Sequence, residues 1–86
     1  MSNQIDEVLE KRNDNYGGFM TDAAICQSLK EIMHETDGWF QLRDDMRQAL
    51  EMICVKMARI LNGNPTYKDS WTDIIGYARL VERTLS

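Results

Sequence analysis

The sequence predicts an all-α fold: a small helical bundle of three main helices plus a short N-terminal helix, in one domain spanning residues 1–86. Three observations carry this expectation. Apolar residues recur at spacings of three and four along most of the chain. No segment alternates apolar and polar residues with a period of two. Turn-forming residues gather in three short clusters, at 13–18, 36–38 and 62–65, which divide the chain into four helical lengths.

The first helix is short. Ser2 or Asn3 can cap it, Ile5, Val8 and Leu9 follow at helical spacing, and the run from Asn13 to Gly18 ends it. The second is expected over about 21–34, with Ala24, Ile25, Leu29, Ile32 and Met33 on its apolar side and Ala23 and Cys26 beside them. Thr36, Asp37 and Gly38 stop it, and Trp39 and Phe40 are expected to fold back over the core. The third helix carries the most regular stripe, Leu42, Met46, Ala49, Leu50, Ile53, Met57 and Ile60. Met52, Cys54, Val55 and Ala58 lie outside that stripe, so this helix is apolar on more than one side. Such a helix is central, or is covered in part by another subunit. Asn62, Gly63, Asn64 and Pro65 end it. The fourth helix is expected from Asp69 or Ser70, with Trp71, Ile74, Ile75, Ala78, Val81 and Leu85 as its buried face. Ser70 and Asp73 read as a capping box with Asp in place of Glu. The simplest assembly pairs the third and fourth helices antiparallel and packs the second on both.

Composition narrows the function classes. Hydrophobic content of 43% with 28% charged residues is that of a globular domain. A chain of 86 residues has a thin core, which makes a homo-oligomer the expected state. The formal net charge of −4 and the lack of a basic run argue against nucleic acid as a partner. No apolar run approaches a membrane span, and the first residues have neither a basic nor an apolar segment of a signal peptide. The expected location is the cytoplasm, with no membrane partner. Cys26 and Cys54 are far apart among apolar residues and read as small buried hydrophobes.

Complete catalytic motifs are missing. His34 is the single histidine, and Gly17-Gly18 lacks the Lys-Ser/Thr of a phosphate-binding loop. A cluster remains. Asp45, Met52, Lys56 and Arg59 share one flank of the third helix, and Asp69, Asp73 and Tyr77 share one flank of the fourth. Facing each other, these flanks would gather two cations, two or three carboxylates and a phenol, able to hold a phosphate with a divalent cation. The plainer reading pairs Lys56 and Arg59 with Asp73 or Asp69 across a helix interface. Tyr16 can stack on a base or close the edge of the core.

These residues carry a resemblance. Arg12 with Tyr16-Gly17, the stretch 49–60 containing Lys56-x-x-Arg59, Asn62-Gly63-Asn64 and Asp69-x-Trp71-x-Asp73-x-x-Gly76-Tyr77 resemble a group of small proteins of tailed bacteriophages and prophages. More distantly the chain is similar to the MazG-like all-α nucleotide pyrophosphohydrolases. That similarity implies a helical scaffold, oligomers and Mg²⁺-binding carboxylates, here Asp69 and Asp73. The Glu-Glu-x-x-Glu helix of those enzymes has no match; Glu31 with Glu35, or Asp44-Asp45, are weak substitutes. The resulting expectation is a phage-type accessory protein, cytoplasmic in the host, that binds a nucleotide or nucleotide-derived signal without turnover and antagonises host defence signalling. Its binding residues would be Lys56, Arg59, Asp73, Tyr77, Tyr16 and Arg12, with no cofactor. The alternatives are a degenerate Mg²⁺-dependent nucleoside triphosphate pyrophosphohydrolase, and a module that docks on a host protein.

Overall fold

The computed structural model describes residues 4–86, and for residues 11–16 the backbone alone. Four α-helices follow one another: α1 (Gln4–Tyr16), α2 (Phe19–His34), α3 (Asp44–Asn62) and α4 (Lys68–Glu82). A 3-10 turn, Asp37–Gln41, lies between α2 and α3. No strand occurs among the described residues. The all-α expectation holds. The proposed caps Ser2 and Asn3 fall outside the described residues.

Each boundary has a local cause. Gly17 takes a left-handed backbone, φ 76°, which breaks the helix between α1 and α2. Thr36 begins the 3-10 turn: its Oγ1 accepts from the Trp39 amide at 3.3 Å and donates to the Met33 carbonyl at 2.8 Å. Between α3 and α4, Asn64 Oδ1 accepts from both the backbone and the hydroxyl of Thr66, at 3.0 and 2.8 Å, an Asx turn that reverses the chain. Trp71 Nε1 donates to the Pro65 carbonyl at 2.8 Å and pins the start of α4 to that loop. At the far end of the hairpin, Arg43 reaches Thr84 Oγ1 at 2.8 Å, which fixes α3 and α4 as antiparallel neighbours.

The packing departs from the expected bundle. α3 packs extensively on α4 and on α2, whereas α2 and α4 make at most a glancing contact. The three helices form an open layer with α3 in the middle. The Cα radius of gyration is 15.0 Å, against about 12 Å for a compact domain of this length. The second helix packs on the third, not on both partners.

The core is small. Among the described residues its buried apolar side chains are Cys26, Ala49, Cys54 and Ala58, and Ala58 is fully inaccessible. Ile25, Leu29, Met33 and Val55 close around the α2–α3 part of it. Small side chains allow two helix backbones to come close, and the α2–α3 seam follows Cys54 and Ala58 rather than the larger residues of the periodic stripe. Both cysteines are free thiols inside that seam, and Cys54 Sγ lies 3.0 Å from Met33 Sδ.

Two further expectations change. Trp39 packs on the His34 ring, with centroids 4.5 Å apart, under the Arg47 guanidinium, but Phe40 points outward and is exposed. Helix α4 is also rotated from its expected orientation. It turns Ser70, Asp73 and Tyr77 toward α3 and leaves Trp71, Ile75 and Ala78 exposed. Ser70 is buried inside the first turn, after Tyr67 at the helix start, so it is not the cap of a Ser70–Asp73 box. The Lys56–Asp73 ion pair lies in this seam, and Ile74 and Val81 of the expected face stay partly buried beside it, so the seam joins the Asp73 flank to one edge of the apolar face.

Candidate functional site

Lys56 and Asp73 meet where α3 crosses α4. Lys56 Nζ lies 2.9 Å from Asp73 Oδ2; the Lys56 side chain is 12% exposed and that of Asp73 45%. The lysine stem is largely buried and its ammonium is presented to the half-exposed carboxylate. Beside this pair runs a shallow open groove along α4, lined by Thr72, Asp73, Gly76, Tyr77 and Leu80. A Cβ at Gly76 would meet nothing within 4 Å, so its small size keeps the groove floor low rather than permitting a close helix crossing.

One turn further along α3, Arg59 is half-buried and its charge acts on Asp22 of α2. Asp22 is a residue that its sequence context does not mark. Its Oδ1 is buried with no hydrogen-bond partner. Burial pushes its carboxyl above the ordinary aspartate value, and the Arg59 charge offsets part of that rise. The only sequence signal available is its place four residues before Cys26, one turn away on the same side of α2.

Asp69, Asp45 and His34 do not join this cluster. Asp69 accepts from the Tyr67 hydroxyl at 3.1 Å. Asp45 binds Arg43 through two hydrogen bonds of 2.9 Å, and that guanidinium holds its carboxyl below the usual range. His34 Nε2 contacts Glu51 at 3.1 Å, away from Lys56. Arg12 and Tyr16 lie outside the residues whose side chains are described.

A divalent cation does not fit the residues in place. Among the described residues no three His, Cys, Asp or Glu side chains come together as a possible metal-binding group. Asp73 is engaged by an ammonium and Asp69 by a phenol, whereas Mg²⁺ requires several oxygens in near-octahedral array. What the arrangement does offer is a largely buried lysine and a half-buried arginine on successive turns of one helix, each opposite a carboxylate from a different neighbour. Next to them lies an open groove with an aromatic wall.

No helix among the described residues is long and apolar enough to cross a membrane. A family model described as Domain of unknown function (DUF6378) matches residues 3–85. No curated protein and no solved structure matches the chain.

Proposed function

We propose, from the premise that this chain belongs to the DUF6378 family, that it binds a small phosphorylated ligand of the nucleotide class without turning it over. The observation that carries the reading is the groove of Thr72, Asp73, Gly76, Tyr77 and Leu80 beside the Lys56–Asp73 pair. A phosphate at the α3 edge of the groove would compete with Asp73 for the Lys56 ammonium, and Arg59 adds charge one turn away. The released carboxylate could then accept a sugar hydroxyl or a base N–H. The Tyr77 ring offers a stacking wall, and Gly76 leaves room for a flat group. The resemblance to phage and prophage proteins suggests one use for such chemistry, the capture of a host nucleotide signal.

Hydrolysis is the weaker reading, because among the described residues no third metal-ligating side chain joins Asp69 or Asp73. A host-protein docking module is favoured by one observation: Phe19, Met20 and Phe40 are all strongly exposed.

The test is thermal-shift titration of the full chain with linear and cyclic nucleotides, with and without Mg²⁺, followed by product analysis. A ligand at 100 times its Kd should stabilise the fold by about 2.7 kcal/mol. Replacing Lys56 and Arg59 together by Gln should abolish that shift, and the ligand should be recovered intact. A screen in which no nucleotide stabilises the protein would sink the proposal, and recovery of pyrophosphate would replace it with the enzyme reading.

A further inference from the structure

We infer that a second copy of this chain covers the apolar side of the helical layer, so that two α3–α4 hairpins pack face to face as a four-helix bundle. This inference does not depend on the ligand proposal, because it concerns the opposite side of the layer.

The faces can be assigned from the seams. On a helical wheel, α3 turns Cys54 and Ala58 toward α2 and turns Lys56, with Ala49 beside it, toward α4. Those two directions are nearly opposed. Leu50, Met57 and Leu61 fall together between them, and all three are exposed. On α4, Ser70, Asp73 and Tyr77 look toward α3, and Trp71, Ile75 and Ala78 fall together on one adjacent side. Trp71 is 50% exposed and Ile75 69%. The right hand of both helices and their antiparallel sense put these two sets on the same side of the layer. Lys56 and Asp73 meet toward the other side, with the groove. The sheet of helices therefore has one charged face and one apolar face. Arg79 and Glu82, paired with each other, border the apolar one.

The occupant follows from area and from need. The chain exposes 6485 Å², whereas a compact monomer of 10.0 kDa exposes about 5,200 Å². The excess is about 1,200 Å² per chain, shared between this face and the exposed α1 residues Ile5, Val8 and Leu9; a symmetric pair that removed half or more of it would bury about 1,200–2,400 Å² in total, the range of stable protein interfaces. Among the described residues no large side chain is fully buried. A cover is therefore needed for the fold itself, whatever the ligand or host partner, and another copy is the one partner always present when the chain is made. A two-fold axis on this face brings four helices around one apolar centre, with the short loops of an antiparallel hairpin at each end.

Sedimentation of the full chain at micromolar concentration should give twice 10.0 kDa. Its melting temperature should fall on each tenfold dilution, because the stability of a dimer includes protomer concentration. Met57→Glu combined with Ile75→Glu should halve the mass or unfold the chain, while Leu80→Glu, on the groove side, should leave the mass unchanged. If the double variant unfolds, dilution-dependent melting of the wild type decides the matter. A wild-type mass of one chain with concentration-independent melting overturns the inference, as does a dimer that survives the double substitution. Nucleotide binding has no bearing on any of these outcomes.

Discussion

Replacing Gly17 by Ala tests the joint between α1 and the rest of the molecule. Gly17 has φ 76°, and an added Cβ would lie 2.6 Å from Asn62 Nδ2 and 2.9 Å from the Asn62 carbonyl carbon, closer still to its oxygen. Asn62 also donates through Nδ2 to the Gly18 carbonyl at 3.0 Å. Two costs therefore combine. A left-handed backbone costs a residue with a Cβ about 1–2 kcal/mol. Moving Asn62 aside sacrifices a hydrogen bond worth about 1 kcal/mol. The lower entropy of the unfolded Ala chain returns about 0.4–1 kcal/mol, leaving a net loss of about 2 kcal/mol. Urea denaturation followed by circular dichroism, at fixed protein concentration, should show it. With a slope of about 1 kcal/mol per molar urea for a domain of this size, the midpoint should fall by about 2 M. The control is Gly18→Ala. Gly18 has φ −71° and nothing within 4 Å of an added Cβ, so it should stay within about 0.5 kcal/mol of wild type. Equal midpoints for the two variants would refute the argument from steric approach and positive φ.

Two further outcomes follow from the packing. Ala58→Leu forces a larger side chain into the α2–α3 seam, where Ala58 is fully buried; it should cost about 1–3 kcal/mol in the same denaturation assay. Asp22→Asn should raise the melting temperature at pH 7. The folded state holds the Asp22 carboxyl above its ordinary value of 3.8, so the ionised group disfavours folding at neutral pH and ceases to do so as pH falls through its raised folded value. The variant's advantage should shrink in acid and vanish below pH 3.8, and an advantage that persists there would contradict the assignment.

The helices were readable because their signals are local. Gly17 and Gly18, and the Asn62 to Pro65 run, act on their own neighbours and mark the breaks in the chain. The Lys56–Asp73 contact was also within reach, since each residue sits mid-helix in a hairpin whose register the short loop dictates. The rotation of α4 was not legible. Periodicity alone ranks Trp71, Ile74, Ile75 and Ala78 as one buried face, and cannot tell a face buried against the same chain from one left for another molecule. Nor could it find Asp22, whose proximity to Arg59 depends on how α2 lies along α3. The seam itself was hidden because Cys54 and Ala58 are small. Large residues dominate a hydrophobic pattern, while small ones decide how near two backbones approach.

The open layer has a consequence for chemical reactivity. Cys26 and Cys54 both lie between α2 and α3, and neither lies in the α3–α4 seam. Burial pushes the Cys54 thiol above its usual value, with Cys26 adding to the rise, so Cys54 presents little thiolate at rest. Alkylation would thus await the peeling of α2 away from α3, an opening that leaves the α3–α4 hairpin closed because α2 scarcely touches α4. The two sulfurs form a natural clock for one half of the molecule: their modification rate times the separation of α2, while the groove and the apolar face on the hairpin stay intact.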